Sequence, residues 1–199
     1  MMDRFYPIVG GADWVERLLP LGVKLIQLRI KNVSYNAVLD NIIKSKTLCK
    51  GYGAQLVVND YWEAALDQGC DFVHLGQEDM DTADFVALRR AGVRIGLSTH
   101  DDDELKRALS HDPAYVALGP VYPTLLKKMP WAPQGLDCLR DWKARIGQTP
   151  LVASGGLSIE RLPGVFAAGA DSAAVVTDLL QAPDPEARTR DWIAATRTP

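Results

Sequence analysis

A closed parallel (β/α)8 barrel, of the TIM type, is the fold this sequence predicts, and three observations lead to it. Eight short runs dense in Val, Ile and Leu recur along the whole chain without alternating polar and apolar residues, as strands buried on both faces do. Amphipathic segments at helical spacing separate these runs. No linker or shift in composition interrupts the alternation, so residues 1–199 read as one compact barrel domain, long enough to bury a full core. An open doubly wound sheet is the rival. Its dinucleotide-binding turn is missing, because the first run is followed only by Gly10-Gly11 and not by G-x-G-x-x-G.

The first run, Tyr6–Val9, leads into Trp14-Val15 and Leu18-Leu19 at helical spacing, and Gly22 precedes the second run, Lys24–Leu28. Val38-Leu39 and Ile42-Ile43 give the next helix before the third run, Gln55–Val58. Gly69 precedes the fourth run, Phe72–Leu75; Ala83 and Val86-Ala87 continue the helical pattern, and Gly92 precedes the fifth, Arg94–Leu97. Asp101 and Glu104 have the spacing of a capping box opening a helix at Asp102. The acids Asp101-Asp102-Asp103-Glu104 suit a first helical turn, where the helix dipole favours negative charge, so the run is read as structural rather than as a metal cluster. Tyr115–Leu118, Leu151–Ser154 and Ser172–Val176 complete the eight, with Gly169 before the last. Gly22, Gly69, Gly92 and Gly169 sit where helix C-terminal caps place glycine.

With 47% hydrophobic and 24% charged residues, the composition excludes disordered and fibrous classes. A net charge of −3 provides no global field for nucleic acid or an anionic membrane, so any affinity for phosphate must be local. No apolar stretch approaches a bilayer span, and Met1-Met2-Asp3-Arg4-Phe5 lacks the apolar core of a secretory signal. Cys49, Cys70 and Cys138 are odd in number and lack CxxC spacing. They read as reduced, mostly buried thiols of a cytoplasmic protein and argue against zinc. The sequence leaves homo-oligomerisation open.

In a barrel, the residues that follow the strands gather on one face, where barrel enzymes do their chemistry. Here those residues are Gln27, Arg29 and Lys31; Asn59 and Asp60; Gln77, Glu78 and Asp79; Ser98, Thr99 and His100; Thr124, Lys127 and Lys128; Gly155-Gly156; and Thr177. Such a set of cations, carboxylates, hydroxyls and a diglycine fits a substrate with several phosphates together with a divalent ion. Asp60 and Asp79 each follow a strand, and two carboxylates on one rim can hold Mg²⁺ beside a phosphate; helix capping is their alternative role. Gln27, Arg29 and Lys31 are spaced by two and project to one side of an extended segment, whether toward a substrate or into salt bridges. The diglycine can bring backbone N–H groups to an anion, or it can be a tight turn into a helix starting near Ser158. His100 is either an acid–base group or a cap, while His74, inside a buried run, reads as a satisfied core histidine. The connection from Tyr122 to Gly135 is the longest, carries three prolines around Lys127-Lys128, and reads as a lid.

The ordered motifs at consecutive strand ends resemble the thiamine-phosphate synthase family over nearly the whole length. They are Gln27-Leu28-Arg29-Ile30-Lys31, Val58-Asn59-Asp60-Tyr61-Trp62, Val73-His74-Leu75-Gly76-Gln77-Glu78-Asp79, Ser98-Thr99-His100 and Ala117-Leu118-Gly119-Pro120-Val121-Tyr122-Pro123-Thr124. The resemblance implies joining of a pyrimidine methyl diphosphate to a thiazole phosphate by a dissociative reaction with Mg²⁺. By that resemblance Asp60 and Asp79 bind the metal. Gln27, Arg29, Lys31, Asn59, Ser98 and Lys127 hold the pyrimidine diphosphate, with Arg29, Ser98 and Lys127 taking part in catalysis. Thr124, Gly156, Val176 and Thr177 take the thiazole phosphate. The departures from the family pattern cluster on the thiazole side: Leu126 in place of a threonine, Trp131 in place of a small residue, Ser154 in place of isoleucine and Thr177-Asp178 in place of Ser-Ala. Asp178 adds negative charge near the expected phosphate, which predicts weak binding of the thiazole substrate. Two other readings remain: a thiazole tautomerase-like paralogue, and a non-catalytic regulatory barrel that keeps the diphosphate pocket.

Overall fold

A computed structural model of the chain describes residues 2–124 and 131–197. Its strands are β1 (Phe5–Val9), β2 (Leu25–Leu28), β3 (Gln55–Asn59), β4 (Phe72–Leu75), β5 (Arg94–Thr99), β6 (Tyr115–Leu118), β7 (Leu151–Ser154) and β8 (Ser172–Val175). They pair in parallel in chain order, and β8 pairs back with β1 to close the barrel. Around it run α1 (Ala12–Leu18), α2 (Tyr35–Tyr52), α3 (Trp62–Asp67), α4 (Phe85–Arg90), α5 (Asp102–Leu109), α6 (Gly135–Ile146) and α7 (Leu162–Ala167), followed by α8 (Thr177–Leu180) and α9 (Pro185–Arg197). The predicted class and strand order hold, with ends moved by one or two residues: β5 continues to Thr99, and β8 stops short of Val176.

The local signals act largely as the sequence suggests. Gly22, Gly69, Gly92 and Gly169 all hold positive φ after their helices. Asp101 caps α5, accepting from the N–H groups of Asp103 and Glu104 at 3.0 and 2.9 Å. The second half of the predicted capping box is displaced. Glu104 Oε2 accepts from the His100 N–H and faces His100 Nδ1, both at 2.7 Å, so the imidazole draws the carboxylate one residue upstream. The segment after the diglycine begins as a 3-10 turn, Ile159–Arg161, before α7.

Two apolar layers surround the strands. Between barrel and helices, Ile26, Leu28, Val58, Leu75, Leu97 and Leu118 pack with Leu18, Val38, Ile42, Leu88, Leu105 and Leu139. Inside the barrel lie Tyr6, Leu25, Val57, Phe72, Tyr115, Ala117, Val152 and Ala174. Each fully buried aliphatic side chain contributes roughly 1.5–3 kcal/mol, so the larger outer layer carries most of the stability. The inner layer is therefore free to become polar at its upper end. Moving two residues along each strand from Leu25, Val57, Phe72 and Val152 keeps the inward parity and reaches Gln27, Asn59, His74 and Ser154. The register sets Ser98 opposite Ala117, giving it the same parity.

Candidate active site

Those polar upper positions floor a cavity of about 1060 Å³ at the carboxyl end of the barrel. Gln27, Arg29, Lys31, Asn59, Asp60, Asp79, Ser98, Thr124, Gly156, Val176 and Thr177 all line it. Lys127, with Leu126 and Lys128, lies outside the described residues, as do all of residues 125–130 of the proposed lid. The in-phase trio from β2 faces the cavity as its spacing requires.

Asp60 and Asp79 face each other where β3 and β4 end. Asp60 has φ +63, a left-handed conformation that aspartate tolerates better than most side chains. Its N–H donates to the His74 carbonyl at 2.9 Å, pinning the turn to β4. Asp60 is not the α3 cap, since Tyr61 occupies that position, and its carboxylate pairs with Lys31 Nζ. Asp79 Oδ2 accepts from the Gly76 N–H at 3.0 Å. Burial and then the neighbouring Asp60 charge hold the Asp79 carboxyl above its ordinary range, against a smaller opposing effect of Lys31. Two crowded carboxylates with mutual repulsion form a hard-oxygen donor set that Mg²⁺ would relieve, leaving further positions for water and phosphate. No cluster of three or more His, Cys, Asp or Glu suited to a metal occurs among the described residues.

The diglycine lies across the barrel from this pair, since β7 and β8 are opposite β3 and β4 in the ring. Gly155 and Gly156 have φ of +92 and +65, and a Cβ there would come within 2.7 Å of Pro120 Cα and 2.5 Å of the Pro123 carbonyl oxygen. Glycine is therefore required both by conformation and by the close approach of the loop after β6. That loop is tied down by N–H donation from Val121 to Ser154 and from Tyr122 to Gly155, at 2.8 and 3.1 Å.

The structure changes the sequence reading of Asp178. Arg188 on α9 donates to its two carboxylate oxygens at 3.0 and 2.9 Å, and Trp192 Nε1 donates at 2.7 Å. The carboxylate lines the cavity with its charge already matched, which removes the basis for expecting it to repel a phosphate.

His100 is held between Glu104 and the Trp131 ring, which stacks on it at 3.8 Å with a 9° tilt. Trp131 thus fills a place at the cavity wall rather than disrupting it. His74 is buried and satisfied on both ring nitrogens, as predicted, yet it also floors the cavity. Burial lowers its pKa to about 4; the Asp60 charge opposes this and Arg29 reinforces it.

Sequence reasoning missed Tyr6, Tyr115 and Arg161 as cavity residues. Arg161 donates to the Gly156 carbonyl, and its guanidinium lies 4.4 Å from the centre of the Tyr122 ring, bracing the loops after β6 and β7. The inward parity of Tyr6 and Tyr115 was the available signal.

Fold and cavity define a (β/α)8 barrel protein with one cavity at its strand-end face, polar at two opposite ends. Known proteins narrow that class. The family described as thiamine monophosphate synthase matches residues 6–179, and the chain belongs to it. The chain is 60% identical over 195 residues to the thiamine-phosphate synthase of Rhizobium etli, covering 98% of this chain and 96% of the relative. It is 49% identical to that of Serratia proteamaculans, covering 96% and 87%. Its fold superposes on a thiamine phosphate pyrophosphorylase from Pyrococcus furiosus with a TM-score of 0.84 at 28% identity, covering 97% and 95%.

Proposed function

We propose that this chain condenses 4-amino-2-methyl-5-(diphosphooxymethyl)pyrimidine with a thiazole ethyl phosphate to form thiamine phosphate and diphosphate. The observation that carries this reading is a single cavity with two ends of different chemistry. One end has Gln27, Arg29, Lys31 and Asn59 beside the Asp60–Asp79 pair; the other has the glycine-lined turn with Thr124, Val176 and Thr177. Two phosphorylated small molecules fit such a space better than one, and the family assignment agrees.

In this reading Arg29 and Lys31 hold the diphosphate, and Asn59 and Gln27 orient the pyrimidine side. Asp60 and Asp79 would hold Mg²⁺, which when bound would neutralise charge on the departing diphosphate. The methylene C–O bond breaks, and its electron pair leaves with diphosphate. The ring amino group feeds density to the resulting cation, and the thiazole nitrogen then forms the new C–N bond. Preorganised positive charge at the leaving group lowers that barrier more than any proton transfer would. Lys127 is proposed to join the diphosphate contacts by family resemblance alone. Thr124, Gly156, Val176 and Thr177 hold the thiazole phosphate. The three free cysteines support a cytoplasmic setting.

Thiamine phosphate formation from both purified substrates, with Mg²⁺ and with chelator, tests the reading. Product that depends on Mg²⁺ is expected. Binding of the pyrimidine diphosphate without turnover would favour the non-catalytic reading.

A further inference from the structure

Five polar side chains form one continuous hydrogen-bonded series across the barrel interior, at the floor of the cavity. Gln27 Nε2 donates to the Tyr6 hydroxyl at 3.0 Å, and the Tyr6 and Tyr115 hydroxyls are 2.9 Å apart. The Tyr115 hydroxyl lies 2.7 Å from His74 Nδ1, and His74 Nε2 lies 2.8 Å from Ser98 Oγ. The members come from β2, β1, β6, β4 and β5, so only barrel closure brings them together. All five line the cavity; Gln27, Tyr6, Tyr115 and His74 are buried in its floor, and Ser98 is the more open member. The interior is shaped around this series. A Cβ on Gly96 would stand 2.1 Å from Tyr115 Cζ, and the His74 ring stacks on the Tyr115 ring at 5.5 Å with a 12° tilt.

Donor and acceptor counting gives the series a direction. The Gln27 amide N–H can only donate, so the Tyr6 oxygen accepts; Tyr6 is fully buried and the other partner of its hydroxyl is Tyr115, so its proton is donated there rather than left without an acceptor. Tyr115 then gives its proton to His74 Nδ1. A neutral imidazole has one acceptor and one donor nitrogen, so the proton sits on Nε2 and is donated to Ser98 Oγ. The Ser98 oxygen is thereby engaged as an acceptor, and its own proton remains for the cavity. We infer that this series fixes Ser98 as a hydrogen-bond donor toward the pyrimidine substrate, with Tyr115 as the positioning residue that selects the Nε2–H form of His74. The inference rests on the function proposed above. It adds the direction of the hydrogen bond in which the Ser98 proton is used: that proton goes to a ligand acceptor, a ring nitrogen or a phosphate oxygen, and not to His74.

Imidazole ¹⁵N NMR reads the series directly. The chain has only three histidines, so loss of one signal set in His74→Gln assigns the residue. The wild type should show Nδ1 unprotonated and Nε2 protonated. Tyr115→Phe removes the donor to Nδ1 and should move the proton there, with the Ser98 hydroxyl now donating to Nε2. Tyr6→Phe leaves the Tyr115 donor in place and should keep the wild-type tautomer. In kinetics, Tyr115→Phe should raise KM for the pyrimidine diphosphate about ten-fold, the size of one lost hydrogen bond, and leave KM for the thiazole phosphate unchanged. Ser98→Ala and the Ser98→Ala/Tyr115→Phe double variant should be equally impaired, because the tyrosine acts through the serine. A wild-type His74 protonated on Nδ1 overturns the direction, and the wild-type spectrum decides this whatever the stability of the variants. Additive losses in the double variant would reduce Tyr115 to a packing role and overturn its positioning. If the chain forms no thiamine phosphate, the function reading fails separately; calorimetry of pyrimidine diphosphate binding to the same variants then replaces KM.

Discussion

Asp178→Ala should unfold the chain at lower temperature rather than improve its site. The carboxylate receives two hydrogen bonds from Arg188 and one from Trp192 Nε1. The side chains of Asp178 and Arg188 are 19% and 24% exposed, so solvent screens the pair only in part. Each charge-assisted bond contributes roughly 1.5–3 kcal/mol when well shielded, and that figure must be reduced here for the exposed fraction. Trp192 is fully buried, so its N–H without an acceptor would cost about 1–3 kcal/mol. These terms overlap, and a total of about 2–4 kcal/mol is expected. At about 2–4 °C per kcal/mol for a chain of this size, Tm should fall by roughly 5–15 °C. Thermal unfolding followed by circular dichroism measures it, with Asp178→Asn expected in between because its amide oxygen still accepts. A Tm within about 2 °C of wild type, together with tighter thiazole phosphate binding, would refute the matched-charge argument and restore the repulsion read from the sequence.

Asp79→Asn should lose most Mg²⁺ stimulation while folding normally, since the amide oxygen can still accept from Gly76; an Mg²⁺ titration of activity checks this, and unchanged dependence would remove the carboxylate pair from the metal. Gly156→Ala should both destabilise the chain and raise KM for the thiazole phosphate, because the new Cβ meets the Pro123 carbonyl at 2.5 Å from a left-handed backbone; urea unfolding beside steady-state kinetics would show it, and a silent substitution would mean that the loop can move away. His74 gives a pH dependence of stability. Its folded pKa of about 4 lies below its unfolded value, so the contribution is fully present above about pH 6.5 and is lost as pH falls toward 4, on the order of 3 kcal/mol in all. Urea melts from pH 7 to 4 should show that slope in the wild type and a flatter one in His74→Gln.

The barrel was legible because each strand carries its own signals. Apolar runs mark the strands, glycines mark the helix ends, and Asp101 marks the start of α5; all of these act within a few residues. The in-phase spacing of Gln27, Arg29 and Lys31 is equally local, and the three do face one cavity. The runs also looked uniformly apolar. That masked the inward parity of several strands, whose cavity-facing polar residue stands at the last inward position, as Gln27, Asn59 and His74 show.

What stayed hidden depends on which strands or helices meet. Tyr6 and Tyr115 are 109 residues apart, and nothing within either run predicts that their hydroxyls share a proton. Asp178 makes the same point. Next to a strand end expected to take a phosphate, a lone aspartate reads as repulsion, and Coulomb's law at short range supports that reading. Its actual partner is supplied by α9, which packs on α8 and places Arg188 and Trp192 on the carboxylate. A charge near a site can be interpreted only once its nearest opposite charge is known, and on the rim of a barrel that charge usually belongs to another element. Lys31 and Asp60, in the segments after β2 and β3, are a second case: each taken alone suggests a ligand contact, but together they are a pair that any anion and cation entering the site must exchange with.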